Sequence, residues 1–335
     1  MMCNKSRQDL FRFFDGKKIL VTGASGYVAN NLILKLADFS CRIVRLSRKS
    51  LLPTVPEADF LDIRGDITRE DGWESWIDGV DVIFHLAGQT SAYAAEASPL
   101  DDWKINVLPV LNMCKACKNK GTTPIVVFAS TATVIGLSDT IPVGESCYEA
   151  PITVYDIHKL TSEKYLTHYA LSGSIRSCSL RLANVYGPGS DSGSSDRGVV
   201  NQMMRLALQG NPLTVYGEGK AIRDYVYIDD VTEAFLSAAA YSEDTTGHSY
   251  FIGSGLGCTM KASITEIAIA AEKITGNLVA VLHTNPPANL LPIEHRNFIA
   301  DISAFSAITG WKPRYDFRDG LAETASYFSS RQKRT

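Results

Sequence analysis

One stretch near the beginning, KKILVTGASGYVANNLILKLAD, restricts the possible folds more than any other. Residues 17–22 form a short apolar run of strand type, and Tyr27–Leu36 carries an apolar helical period. Between them Gly23, Gly26 and Ala29 give G-x-x-G-x-x-A. Residues without bulk at a strand–helix junction let the backbone approach a pyrophosphate at the helix N-terminus. Glycines also serve plain turns. The strand–turn–helix context is what points this triplet to a dinucleotide.

The later segments repeat that alternation. Strands are expected at CRIVRLS, DFLDIRGD, VDVIFHLAG, TPIVVFAS and RSCSLRLANV, with helices over 107–119 and 155–171. Such an order predicts an α/β fold, a parallel sheet covered on both faces. Residues 15–184 are assigned to this dinucleotide-binding domain. Beyond residue 185 the texture changes: YGPGSDSGSSDRG, which includes 190–197, is too long for a simple connection and reads as a functional flap. Helices are expected over 199–209, 228–239 and 263–275. Residues 185–330 are read mainly as a smaller substrate-binding lobe, interleaved with returns to the first domain around 225–255.

The net charge of -3 over 335 residues gives no reason to expect nucleic acid or an anionic membrane as partner. No segment has the apolar length of a signal peptide core or a membrane span, so a cytoplasmic protein is expected. The closing RQKRT reads as a solvated end. Seven scattered cysteines argue against a disulfide framework. Cys114 and Cys117 form a C-x-x-C without a second ligand pair, on an expected helix. A packed helical face is expected there, and no metal.

Two further features bear on chemistry. The second expected strand ends at Ser47, followed by Arg48 and Lys49, with no carboxylate for an adenosine ribose. A cation there accommodates the extra phosphate of NADP, so NADP is favoured over NAD; a solvent-facing basic loop is the plain alternative. In TVYDIHKL, Tyr155 and Lys159 stand four apart and share a helix face. Such a pair is often surface decoration. It is also how an ammonium group makes a phenol more acidic than its ordinary pKa near 10.

Taken in order, TGASGYVA, GDI, FHLAG, IN, FASTATVIG, YDIHK, RLANVYGPG, RDYVYIDDV and TGWKP extend from Thr22 to Pro313. With these motifs the chain resembles the extended short-chain dehydrogenase/reductases, within them the NAD-dependent epimerase/dehydratase family that acts on nucleotide sugars. The resemblance implies a Rossmann-type doubly wound sheet with an interleaved C-terminal substrate lobe. It implies that Thr22, Gly23, Ser25, Gly26, Tyr27 and Val28 lie beneath the cofactor pyrophosphate. Asp66 and Ile67 would border the adenine, Leu86, Ala87 and Gly88 would run along the cofactor, and Asn106 would support them. Thr131, Tyr155 and Lys159 would be the catalytic set, the last two also touching the cofactor. Asn184 would approach the sugar phosphate, and Arg223 the substrate diphosphate.

An arginine fork suits phosphate oxygens on chemical grounds alone; an ion pair with Asp224, Asp229 or Asp230 is the plain alternative for Arg223. Gln89, Thr90, Ser91, His295 and Arg296 are further candidates for sugar recognition, although polar loop residues need no ligand. By similarity, 107–119 and 155–171 would pair across a two-fold axis, implying a homodimer.

In the family's 4,6-dehydratases an Asp–Glu pair follows the residue matching Thr131. Ala132 and Thr133 stand there instead, and neither can exchange protons in that role. The resemblance therefore implies a C4 epimerase, with Tyr155 as acid and base. Ser47 and Arg48 pull toward the alternative, an NADPH-dependent 4-ketoreductase. A non-catalytic nucleotide-binding protein on the same fold is the remote alternative.

Overall fold

The computed structural model describes residues 7–49, 51, 58–189 and 198–332. The flap residues 190–197 lie outside the described residues, as do Cys3 and the last three residues of the basic tail.

Among the described residues twelve strands occur in chain order: β1 (Lys18–Thr22), β2 (Arg42–Ser47), β3 (Asp59–Arg64), β4 (Val82–His85), β5 (Ile125–Thr131), β6 (Arg176–Leu182), β7 (Asn184–Tyr186), β8 (Leu213–Tyr216), β9 (Ile222–Tyr227), β10 (His248–Ile252), β11 (Gly257–Thr259) and β12 (Val281–Thr284). Seven build one parallel sheet in the order β10-β6-β5-β4-β1-β2-β3. Its central strands read as unbroken apolar runs because both faces are covered. Ile19, Val21, Phe84 and Val127 point to one core, shared with the helices Arg7–Phe14, Tyr27–Leu36 and Ile228–Ala240. Leu20, Ile83, Val126 and Phe128 point to the other, against the helices Leu108–Lys120 and Val154–Leu171. Cys114 and Cys117 are buried in that second core, where burial pushes the Cys117 thiol up to about 12. The strand reversal point lies between β1 and β4, where open α/β sheets bind ligands.

RSCSLRLANV, expected as one strand, is two. The chain leaves the large sheet at Ala183, whose amide donates to Ile252 O at 2.9 Å. β7 then pairs with β9 in a separate three-stranded sheet completed by β11. β8 and β12 form a two-stranded parallel sheet. A third core joins these strands to the helices Val199–Leu208, Met260–Thr275 and Phe317–Gln332. Among the described residues no helix is long and apolar enough to cross a membrane.

Candidate active site

The turn after β1 is built for close approach. Gly23 has φ +67°, and a Cβ there would stand 2.7 Å from Ala87 Cα. Gly26 N donates to Gly23 O at 2.7 Å and closes the turn. Gly26 then caps the helix Tyr27–Leu36 without a side-chain hydrogen bond, which leaves the first helical amides uncapped by a side chain, the arrangement that suits an anion.

Thr22 fastens this turn to the end of β4. Its hydroxyl accepts from Leu86 N and Ala87 N, both at 3.2 Å, and lies 2.9 Å from His85 Nδ1. A hydroxyl has one hydrogen and two lone pairs. With both lone pairs occupied, Thr22 donates to Nδ1, and the neutral His85 carries its proton on Nε2. That nitrogen is buried without a partner among the described residues. Burial, then the charge of Lys159, lowers the His85 pKa to about 3.

One cleft gathers Gly23, Ser25 and Gly26 from the turn, Ser47 and Arg48 from the end of β2, Asp66 and Ile67 from beyond β3, and Leu86, Ala87 and Gly88 from beyond β4. Ser47 Oγ donates to Ser25 Oγ at 3.1 Å. Beside it a cavity of about 550 Å³ is bordered by Arg48, Arg64 and Arg69. Arg69 is paired with Asp71 at 2.8 Å. Tyr27 and Val28 contribute differently from the other turn residues: the Tyr27 hydroxyl donates to Gly187 O at 3.0 Å, and both side chains pack toward the core of the smaller sheets.

At the far end of this cleft stands the helix Val154–Leu171. It starts where it does because Thr153 caps it, accepting from Asp156 N at 3.2 Å. That start places Tyr155, half-buried, one turn before Lys159. Lys159 is buried, with Nζ 4.1 Å from the centre of the Phe128 ring. Burial lowers its pKa to about 8, while the carboxylates of Glu163 and Asp102 oppose the fall. A Cβ on Gly88 would lie 3.9 Å from Lys159 Nζ and 2.8 Å from Asn106 Oδ1. This cleft and the Tyr155 helix therefore meet at Gly88.

Asn106 is held from behind. Its Nδ2 donates to Gln89 O and to Asp102 Oδ1, each at 3.0 Å, and its buried Oδ1 has no partner among the described residues. Asp102 also accepts from Gln89 Nε2 at 2.8 Å and lies 2.6 Å from His158 Nδ1 through its other oxygen. Gln89, expected as a sugar contact, thus braces this network. Ser91, another such candidate, caps the helix Ala92–Ala97 by accepting from Ala94 N at 3.1 Å. Thr90 is exposed.

Thr131 ends β5 half-buried, and its hydroxyl lies 2.7 Å from that of Thr133. Thr133 in turn hydrogen-bonds Asp156 Oδ1, while Thr153 Oγ1 donates to Asp156 Oδ2 at 2.7 Å. Burial raises the Asp156 pKa to about 6 against the pull of these hydroxyls and of Arg296.

A second cavity, about 770 Å³, opens between the smaller sheets and the 286–297 segment. Arg223, Lys220, Tyr216, Leu290 and His295 are among the residues that line it. Arg223 is buried and makes no ion pair with Asp224, Asp229 or Asp230. It donates to Glu294 O at 2.8 Å and to Arg296 O, and Glu294 Oε2 is 3.7 Å away. Asp224 is occupied by the amides of Ser254, Gly255 and Ala300. Arg296 donates to Asn184 Oδ1 at 3.3 Å and lies 3.8 Å from the same Glu294 carboxylate. Two arginines share one acid. Burial, and then the charge of Arg296, lowers the Arg223 pKa to about 10, so this corner favours an added anion.

Thr22 was expected only in the pyrophosphate turn, and its bond to His85, like Asp102 and Asp156, was not foreseen from the sequence. Asp156 stood between Tyr155 and Lys159, and it closes the T-x-x-D, Thr153 to Asp156, that was a readable helix start. Asp102 is brought to Gln89 and His158 only by folding.

A doubly wound sheet, a glycine turn beneath a helix N-terminus and a tyrosine–lysine helix at the cleft end together define the class of nicotinamide-dependent short-chain oxidoreductases. The profile of the NAD dependent epimerase/dehydratase family matches residues 19–253, and the chain belongs to that family. A Bacillus subtilis protein described as an uncharacterized UDP-glucose epimerase is 30% identical over 330 residues, spanning 93% of this chain and 98% of that one. The UDP-glucose 4-epimerase of Azospirillum brasilense is 27% identical over 325 residues, 92% of this chain and 90% of its own. Among solved structures, a UDP-glucose 4-epimerase of Thermotoga maritima with UDP-glucose has a TM-score of 0.83 at 28% identity, covering 94% of this chain and 99% of that one.

Proposed function

We propose that this protein is a nucleotide-sugar epimerase acting at C4, with Tyr155 as acid and base. The observation that carries the reading is the meeting of cofactor cleft and Tyr155 helix at Gly88, within reach of Lys159. The cleft suits a nicotinamide dinucleotide, because a Cβ at Gly23 would fill the approach that a pyrophosphate needs. The nicotinamide, when bound, supplies hydride acceptance and return.

The chain's own residues supply the rest. The Lys159 ammonium, one turn away, favours the Tyr155 phenolate, which accepts the proton of the sugar hydroxyl and later gives it back. Thr131 hydrogen-bonds the same oxygen and holds it in line. The nucleotide diphosphate takes the 770 Å³ cavity, its charge received by Arg223 with Arg296 behind. UDP is the nucleotide favoured, by similarity to the relatives named above.

Arg48 and Arg64 beside Ser47 support NADP over NAD and keep a second reading in play, an NADPH-dependent 4-ketoreductase. A homodimer and a cytoplasmic setting belong to the same proposal; Ile157 and Tyr165 expose an apolar stripe on one face of the Tyr155 helix, suited to a copy of itself. The test is to incubate the purified protein with UDP-glucose or UDP-galactose and follow both sugar and cofactor. Interconversion without net cofactor change is the expected result. Stoichiometric NADPH consumption with a 4-keto sugar, and no interconversion, would replace the epimerase with the reductase.

A further inference from the structure

We propose that Asp156 is a positioning residue for the epimerase reaction: through Thr133 it sets whether the Thr131 hydroxyl donates toward the substrate oxygen or turns inward. This rests on the epimerase reading and adds a group that the reading does not use.

Thr153 Oγ1 accepts the Asp156 amide at 3.2 Å and donates to Oδ2 at 2.7 Å, so Oδ2 is held as an acceptor. A proton on Asp156 therefore sits on Oδ1, the oxygen that faces the Thr133 hydroxyl. Thr131 Oγ1 already accepts Thr133 N at 3.3 Å and lies 2.7 Å from Thr133 Oγ1, a contact in which either hydroxyl can donate.

Two patterns result. With Asp156 ionised, Thr133 donates to Oδ1 and Thr131 donates to Thr133. The single Thr131 hydrogen then points inward. With Asp156 protonated, Oδ1–H donates to Thr133, Thr133 donates to Thr131, and the Thr131 hydrogen is free for a carbonyl or hydroxyl oxygen in the site. No proton is lost or passed on; the hydroxyl hydrogens reorient behind one titrating carboxyl. A helix cap accounts for Oδ2 and Thr153, but not for the second oxygen turned toward a hydroxyl pair that ends at Thr131.

The surroundings allow this titration near neutrality. Asp156 is 1% exposed, and burial raises its pKa to about 6. Its own helix carries Tyr155, His158, Lys159 and Glu163. The helix Ala92–Ala97 brings Glu96, which accepts Val154 N at 2.8 Å, and the helix Pro99–Asn106 brings Asp102, bound to His158. The 292–296 turn brings Glu294 and Arg296, and of all these it is Arg296 whose charge draws the Asp156 pKa back down. Residues 132–135 contribute no charge.

The sign follows. Activity that needs a donating Thr131 declines as pH rises through the Asp156 pKa. The experiment measures kcat and KM for UDP-glucose and UDP-galactose interconversion by the holoenzyme from about pH 5 to about pH 9, with Asp156→Asn and Thr133→Val beside the wild type. The wild type is expected to show a decline beginning near pH 6. Asp156→Asn, whose amide is a permanent donor, loses that decline. Thr133→Val leaves the helix cap intact and removes the inward acceptor of the Thr131 hydrogen, so it loses the decline and holds kcat above pH 6 near the wild-type acid value with KM little changed. The decline persisting in either variant, with kcat at about pH 8 no higher relative to its acid value than in the wild type, overturns the proposal. The ¹³Cγ resonance of Asp156 in the holoenzyme is followed in parallel. It is expected to titrate near pH 6 and to shift upward when Thr133→Val removes a donor to the ionised form. A wild type inert toward these sugars overturns the epimerase reading alone, and a resonance indifferent to Thr133→Val still overturns the hydrogen-bond chain.

Discussion

Thr22 Oγ1 donates to His85 Nδ1 across 2.9 Å, and this bond ties the ends of β1 and β4 where Gly23 and Ala87 come into contact. The same oxygen receives the Leu86 and Ala87 amides. Thr22 is completely buried, so nothing else can serve these groups if the hydroxyl is removed. Thr22→Val keeps the volume and strands two amides and a ring nitrogen. A loss on the order of 2 to 4 kcal/mol is expected, because each unpaired buried group costs about 1 to 3 kcal/mol. Denaturant unfolding checks it; a loss below about 1 kcal/mol would show that the bond is incidental.

His85 makes the fold sensitive to acid. Its native pKa is held near 3, against an ordinary value of 6.5, by burial and by Lys159. Between those values the unfolded chain binds a proton that the native protein refuses, so His85 favours unfolding increasingly as pH falls from 6.5 toward 3. Unfolding free energy followed over that range should fall less steeply in His85→Phe than in the wild type. Parallel curves would mean that His85 takes up its proton without leaving the fold.

Arg48 and Arg64 border the cavity beyond Ser47, and Arg69 there is already engaged by Asp71. Arg48→Ala is therefore expected to weaken NADP binding about tenfold or more while leaving NAD binding within about twofold, since a charge-assisted bond to phosphate is worth about 1.5 to 3 kcal/mol. Calorimetric titration with each dinucleotide decides it. Equal losses for both would identify Arg48 as a general anion contact.

Arg223 is buried beside Arg296 with one shared carboxylate. Arg223→Met removes the cation and keeps much of the length. UDP affinity is expected to fall about tenfold to a hundredfold with dinucleotide binding unchanged. An unchanged UDP affinity would place the diphosphate elsewhere.

The parts of this fold governed by local chemistry were legible in the sequence. The glycine turn lies between a strand and a helix as its spacing required, and the buried strands read as apolar runs. Elements decided by distant pairing were not. Residues 184–186 continue the β6 pattern, yet they join β9 because that strand arrives from forty residues later. Arg7–Phe14 is too short to declare itself without the core that receives Leu10 and Phe14. The helix Phe317–Gln332 was readable from Leu321, Ala325 and Phe328, buried at helical spacing, but its polar surroundings obscured the stripe. Motif reading named Thr131, Tyr155 and Lys159, discounted Thr133 as a proton carrier and passed over Asp156, because a hydrogen-bond chain between a 3-10 turn and the first turn of a distant helix has no spacing of its own.

The account turns on the Tyr155 hydroxyl exchanging a proton with the sugar beside a bound nicotinamide. Tyr155→Phe removes that oxygen and nothing else. In a UDP-glucose to UDP-galactose assay, turnover is expected to fall about a thousandfold, within the range general acid–base catalysis supplies, while dinucleotide binding stays within about threefold of the wild type. Epimerisation by Tyr155→Phe at a rate near that of the wild type would contradict the account.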